Sequence, residues 1–480
     1  MNKLQNLEPS KVFQFFEEMS EIPRTSGDEQ KISDWLVDFA KERGLEVYQD
    51  KVLNVIIRKP GTSGYENAQT VIIQGHMDMV GEKSKESNHD FLKDPIALRV
   101  KDDYVYATDT TLGADDGIAV AYGLALLDSK DIPHPPLELL ITTSEETGMN
   151  GAIDLDASPL KGKILINIDA EEEGVFLVSC AGGITAYTSF EPEYENTESK
   201  AYEISITGLN GGHSGIEISK QRANAVKLLG RLLKKLSTDH KLQLSEIYGG
   251  AKHNAISREA YATAVIPELQ LSDLKAVLQE MNETFINEYS VEDPKIQVEV
   301  KETTAKRVMS LKASEGIINY ITIVPDGVQT ISRDIEGLVV SSLNLGVLEE
   351  KNGKILFTHA IRSSVKSLKE EINLRMQIIS ELCGGSLQLL DDYPEWQYEA
   401  NSKIRDIAVE TYKTLRGEEP GIEAIHAGLE CGLLKEKLPE ADMLSFGPNL
   451  YDVHTPNEHM SISSVARTYE FLKALLANLK

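Results

Sequence analysis

Cysteine is scarce in this sequence. Three appear in 480 residues, Cys180, Cys383 and Cys431. An odd number of widely spaced cysteines argues against a disulfide framework and a cysteine-ligated zinc site, and reads as buried thiols of a reducing compartment. Positive charge is short as well: 49 Lys and Arg stand against 76 Asp and Glu, a net charge of −27. Nucleic acid and anionic membrane both repel such a surface, so neither is expected as a partner. No apolar run approaches the roughly 20 residues that a membrane span needs. The opening segment MNKLQNLEPSKVFQFFEEMSEIPR has neither an apolar h-region nor a cleavage pattern. Its Phe13, Phe15, Phe16 and Met19 fit one face of an amphipathic helix packed on the body. A cytoplasmic protein is expected.

What is present is a globular composition, 41% hydrophobic and 26% charged, on a chain too long for one ordinary core. Up to about residue 185, short Val/Ile/Leu runs (NVIIRKPG, TVIIQG, LELLITTS, KILINID) alternate with helical stretches such as EQKISDWLVDFAKERG and GIAVAYGLALLDS. That texture predicts a mostly parallel sheet covered on both faces. From 186 to 395 strands such as AYEISITG, EAYATAVIP and KILFTHAIRSS alternate apolar with polar residues, which suits sheets with one solvated face. Asn254 followed by EAYATAVIP and a helix loosely resembles Asn344 followed by KILFTHAIRSS and a helix, a pattern consistent with a duplicated α+β unit. The α/β texture returns over 396–480. The expected fold is α/β: a discontinuous catalytic domain (1–185 and 396–480) with an inserted α+β domain (186–395).

Five segments offer metal-competent side chains beyond an apolar strand or at the mouth of a helix. They are GHMDMV (His76, Asp78), TTLGADDG (Asp115, Asp116), TTSEETG (Glu145, Glu146), NIDAEEEG (Asp169) and YDVHTPNEH (His454). In open α/β sheets ligands bind outside the carboxyl ends of the strands, where three of these segments fall. Each segment alone has a plain reading: a structural His–Asp pair, a helix N-cap at Asp115-Asp116, a solvated turn, a loop histidine. Together they place several carboxylates on one rim, and these repel each other unless a cation sits among them. Oxygen and imidazole donors without thiolate suit zinc, with cobalt or manganese as alternatives. Two such ions sharing one carboxylate stand roughly 3.5–4 Å apart and clamp a hydroxide. Asp78, two residues from His76, points the same way in extended chain and can take the second ring N–H of that histidine. Of Glu145 and Glu146, one can bind metal while the other serves as general base.

The order of these segments, with GGHSG at 211–215, resembles the co-catalytic zinc aminoacylase and carboxypeptidase G peptidase family. TTLGADDG, TTSEETGMNGA, AIHAGLECG and SFGPNLYDVHTPNE, with the long insert, resemble its bacterial dipeptidase branch, whose substrates include Xaa-His dipeptides. The resemblance implies that His76, Asp115 and Asp169 hold one zinc and that Asp115, Glu146 and His454 hold a second, with Asp115 bridging. It implies Glu145 as general base and Asp78 as the residue orienting His76, and a cis bond after Asp115. For the inserted domain it implies a lid, in which His213 stabilises the oxyanion, in its own site or a partner's. Asn254 would lie near substrate, and Arg362 would bind the substrate carboxylate. The first lid strand, AYATAVIP, ends without a matching arginine. The expected activity is hydrolysis of small unblocked dipeptides, with a homodimer through the lid compatible. Alternatives are another amide hydrolase of the family (a deacylase, tripeptidase or desuccinylase), a two-metal phosphoesterase, and a non-catalytic binding protein.

Overall fold

A computed structural model describes residues 3–267 and 269–480. The short apolar runs lie at the centre of an eight-stranded sheet. Its order is Glu46–Gln49, Val55–Lys59, Leu137–Thr142, Val71–His76, Ile164–Asn167, Asp442–Ser445, Val175–Cys180, Gly421–Ile425. The four middle strands are parallel. Val55–Lys59 and Val175–Cys180 pair with them antiparallel, and Glu46–Gln49 follows Val55–Lys59 as a hairpin. The short connection from Gln49 to Val55 permits only an antiparallel pairing, because a parallel neighbour needs a crossover of a dozen residues or more. Every residue of Val71–His76 and of Leu137–Thr142 is buried, as parallel strands covered on both faces require.

The helix Ala114–Asp128 is buried continuously from Asp116 to Leu127, which follows from its being apolar all round. It lies close against the strand Val71–His76 because Gly75 has no side chain. A Cβ there would stand 2.4 Å from Asp116 Oδ2 and 2.6 Å from Ala119 Cβ. The expected first helix forms over Ser10–Ser20 and buries Phe13, Phe15, Phe16 and Met19 together with Val12. A small four-stranded sheet, Leu450–Tyr451, His459–Ser461, Tyr104–Ala107 and Leu98–Lys101, was not legible from the short, mixed runs that form it. Its first two strands make a hairpin whose tip, 452–458, carries His454.

The chain divides into two compact units. One comprises residues through Ser179 with Tyr398–Ala424 and Leu429–Lys480; the other comprises Cys180–Gln397 with Ile425–Gly428. Set beside the expected division at 185 and 395, the first break falls earlier because Gly182–Phe190 is one continuous strand. The segment Ile425–Gly428 falls in the second unit because it pairs with Ala181: that residue's N–H donates to the carbonyls of Ile425 and Ala427.

The second unit is built on a nine-stranded sheet. One half runs Tyr194–Thr207, helix Ala225–Asp239, Gln243–Gly250, Ala260–Val265, helix Leu271–Glu288, Gln297–Met309. The other takes Gly182–Phe190 as its first strand, then helix Leu311–Ile323, Val339–Lys351, Lys354–Ser363, helix Lys366–Leu382 and Ser386–Tyr393. Each half is a β-α-β-β-α-β unit with strands in the order fourth, first, third, second. The halves meet second strand to second strand through Gly249–Leu348 and Gly250–Val347. The repeat suspected around Asn254 and Asn344 is therefore a duplicated fold, with one copy inserted after the first strand of the other. Alternate residues of Tyr194–Thr207 (Tyr202, Ile204, Ile206) join Leu229, Leu278 and Ile317 in one core, the period-2 pattern of a half-buried sheet.

Candidate active site

The candidate site lies wholly in the first unit. Parallel pairing aligns three strand ends: His76 stands opposite Thr142, and Gln74 opposite Asn167. His76 thus ends one strand, Asp169 lies two residues past the next, and Glu145 and Glu146 lie three and four past the third. The N-terminus of helix Ala114–Asp128 supplies Asp115, and the hairpin tip supplies His454.

The two oxygens of Asp115 face two different imidazoles. Oδ1 is 3.3 Å from His76 Nε2, and Oδ2 is 3.1 Å from His454 Nε2. His454 Nε2 is also 2.9 Å from Glu146 Oε1, and His76 Nε2 is 3.5 Å from Asp169 Oδ1. Among the described residues, three sets have ligand atoms within 4.8 Å of one another and could hold a metal: His76, Asp116 and Asp169; His76, Glu145 and Glu146; Asp115, Glu146 and His454. The bond between Asp115 and Asp116 is cis, as the resemblance implied. Asp116 does not cap the helix; its Oδ2 accepts the backbone N–H of His76 at 3.2 Å.

Asp78 is fully buried and contacts more than His76. His76 Nδ1 is 3.1 Å from the Asp78 carbonyl and 3.5 Å from its carboxylate, so this ring nitrogen faces both the main chain and the side chain of Asp78. The same carboxylate also accepts Ser26 Oγ at 2.8 Å and the N–H groups of Glu145 and Glu146 at 3.1 and 3.3 Å.

The electrostatics are those of an acidic rim. Burial, with like charge from Asp169, Glu430 and Glu146 against partial relief from His76, pushes Glu145 up to about 9. Burial raises Asp169 to about 6. Burial works against Asp115 too, but hydrogen bonds from His454 and His76 outweigh it and hold that carboxyl below its usual range. Hydrogen bonds to Asp115 and Glu146 lift His454 to about 11. Imidazoles and carboxylate oxygens crowded this closely, without thiolate, fit divalent cations, which offset the mutual repulsion.

Several residues of the site lay beyond the sequence reading. Arg24, 2% exposed, donates to the carbonyls of Met77 (2.9 Å), Asp78 (3.3 Å) and Gly113 (2.6 Å). Glu458, within the YDVHTPNEH segment, accepts four backbone N–H groups of the Asp115 loop. Glu430, within AIHAGLECG, is buried beneath the strand ends and accepts from Gln74 and Thr142 at 2.6 Å each. Gln74 continues the chain by accepting from Asn167 at 2.7 Å. No pattern in one sequence marks which acidic residue reaches which loop.

In the second unit His213 and Ala255 pair across a two-stranded ladder, and Ser214 donates to the Asn254 carbonyl at 2.9 Å. His213 and Asn254 line a cavity of about 760 Å³ together with Tyr248, Arg258 and Tyr261. Arg362 is not among its lining residues, though its charge acts on His213. Burial and the Arg362 charge lower His213, His253 and His426 alike, His426 to about 3. Arg362 donates through Nη1 to Tyr393 at 2.9 Å, its Nε is buried without a partner, and no carboxylate pairs with it among the described residues.

This arrangement is the fold and acidic centre of a peptidase class. The model of peptidase family M20/M25/M40 matches residues 72–478, and the chain belongs to that family. It is 37% identical over 479 residues, 99% of each chain, to the cytosol non-specific dipeptidase of Escherichia coli (strain K12). It also matches the crystal structure of aminoacylhistidine dipeptidase from Vibrio alginolyticus with a TM-score of 0.96 and 37% identity, covering 99% of this chain and 97% of that one. Aminopeptidase PepT from Bacillus cereus, at 15% identity and a TM-score of 0.57 over 98% of this chain and 99% of its own, shares the fold. The protein is accordingly a hydrolase of the metallopeptidase type. Among the described residues no helix is long and apolar enough to cross a membrane.

Proposed function

We propose that this chain hydrolyses the peptide bond of small unblocked dipeptides, Xaa-His dipeptides among them, at a two-metal centre, in the cytoplasm. The observation that carries the reading is the shared carboxylate, with Asp115 Oδ1 toward His76 Nε2 and Oδ2 toward His454 Nε2. The names of the E. coli and Vibrio relatives support a dipeptide as substrate. One ion is assigned to His76, Asp115 and Asp169, the other to Asp115, Glu146 and His454. Zinc is the assigned metal, with cobalt or manganese as alternatives. Two divalent ions held there supply Lewis-acid polarisation of a carbonyl and acidify water.

The remaining steps belong to the protein's own side chains. Glu145 accepts a proton from the attacking water as its oxygen adds to the scissile carbonyl carbon, and returns that proton to the amine as the C–N bond breaks. Asp78 fixes both the His76 ring and the main chain of the Glu145-Glu146 pair. The first unit is assigned as the catalytic domain and the second as its lid. In that lid His213 stabilises the oxyanion from Nε2, since its Nδ1 accepts the N–H groups of Gly215 and Ile216. Arg362, with an unpaired N–H and no carboxylate partner among the described residues, suits a free C-terminal carboxylate; Asn254 is assigned to the substrate path. A homodimer through the second unit is part of the same reading.

The test is a panel of dipeptides, including carnosine and other Xaa-His pairs, assayed with and without added zinc beside tripeptides, N-acyl amino acids and a phosphate ester. Cleavage concentrated on free dipeptides and dependent on metal is expected. Turnover of N-acyl amino acids with none on any dipeptide would overturn the reading.

A further inference from the structure

Glu458 follows His454 by four residues in the same hairpin tip and is 2% exposed. Its Oε2 accepts the N–H groups of Leu112 (2.7 Å) and Gly113 (3.0 Å), and its Oε1 those of Ala114 (2.8 Å) and Asp115 (3.4 Å). Four consecutive amides ending at Asp115 therefore converge on one carboxylate. The convergence depends on Gly113, whose φ of 70° lies in the left-handed region that glycine enters without steric cost. A side chain there would also collide with Arg24, because a Cβ would stand 2.6 Å from Arg24 Nη2. Arg24 holds the same peptide from the other side through the Gly113 carbonyl. Burying a carboxylate is costly unless its oxygens are hydrogen-bonded, and bonds to an ionised acceptor are the stronger kind.

We propose that Glu458 is a positioning residue for the metal centre: it ties the Asp115 loop to the hairpin of His454, so that the shared carboxylate and one of its two imidazoles are set as a single piece. Glu458 reaches no reacting atom and acts only through Asp115. The inference rests on the two-metal reading.

The experiment uses the full chain and the Glu458→Gln variant. Glutamine keeps the volume but turns one acceptor oxygen into an NH₂ group facing N–H donors, so part of the amide cluster loses its acceptor. Two readouts are taken. In metal-free protein, hydrogen exchange at residues 112–115 should quicken at least about 10-fold while the strands Val71–His76 and Leu137–Thr142 keep parent rates. In competition with a chromogenic chelator, at least one of two zinc ions should bind about 10–100-fold more weakly. Parent-like affinity for both ions, or unchanged exchange at 112–115, overturns the proposal. Should Glu458→Gln not fold, Glu458→Asp carries the same readouts with the charge kept and the reach shortened by one methylene. Loss in both supports the proposal, and parent affinity for both ions overturns it. A parent protein that binds no zinc fails the two-metal reading instead, and is recognised without any variant.

Discussion

The backbone N–H of Glu145 donates to Asp78 Oδ1 over 3.1 Å, and the next N–H, that of Glu146, donates to Asp78 Oδ2 over 3.3 Å. One buried carboxylate, two residues after a histidine of the site, thus sets the main chain of both glutamates. The pair can point its side chains to different tasks because their shared peptide is held in place.

The two glutamates should separate by substitution. Glu145→Gln keeps the shape and removes the proposed base, so kcat should fall at least about 100-fold with metal content near the parent's. Glu146→Gln should lower metal content instead. Metal analysis beside steady-state kinetics checks this; loss of metal from Glu145→Gln with none from Glu146→Gln would reverse the two assignments.

Asp78→Asn replaces one acceptor oxygen by an NH₂ group among three donors: Ser26 Oγ and the N–H groups of Glu145 and Glu146. A drop in activity of about 10–100-fold is expected, the range for residues that orient a metal-binding histidine. An equal drop in Ser26→Ala would trace the effect to the hydroxyl contact; parent activity in Asp78→Asn would remove Asp78 from the site.

Chelation should abolish activity, and titration of the metal-free protein with zinc should restore it at about two ions per chain. Full activity after exhaustive chelation would contradict the assignment of both ion sets.

The clamp proposed at Arg362 predicts a difference between substrates. Free dipeptides should outperform their C-terminal amides, because the guanidinium would otherwise face a neutral group and a buried charge would lose its partner. Arg362→Ala should lower kcat/KM for the acid far more than for the amide. Equal turnover of acid and amide by the parent enzyme would place Arg362 elsewhere.

The second unit should carry its own acid sensitivity. Burial, aided by the Lys227 charge, lowers His359 to about 3, and its Nε2 stands 2.9 Å from the Tyr320 hydroxyl. The folded state keeps this imidazole neutral where the unfolded chain would protonate it below about pH 6.5. More protons are then bound unfolded than folded, so stability falls as pH drops from about 6.5 toward 3, by up to roughly 1.4 kcal/mol per pH unit for one such group. Urea unfolding across that range should show His359→Gln with a shallower slope than the parent. An unchanged slope would assign the acid sensitivity to other groups.

The α/β character, the amphipathic first helix and the strand ends that deliver His76, Glu145, Glu146 and Asp169 were legible because each depends on local pattern. Apolar runs of strand length, helical periodicity and an acidic residue just past a strand are written within a few residues of chain. Their parallel alignment follows from strand order, and that order brings His76 beside Asp169. Other features depend on contacts between distant segments. The convergence of Glu458 on residues 112–115, more than 340 residues away in sequence, leaves no local trace, and neither does the hold of Arg24 on the Asp78 and Gly113 carbonyls. The duplication was faint because one copy is threaded into the other, so its first strand, Gly182–Phe190, sits far from the strands it joins. Sequence alone determined which residue types could make the chemistry and roughly where the chain changes texture. Only the tertiary structure decided which oxygen of Asp115 faces which imidazole, because that depends on packing a helix against Gly75 and a hairpin against a loop.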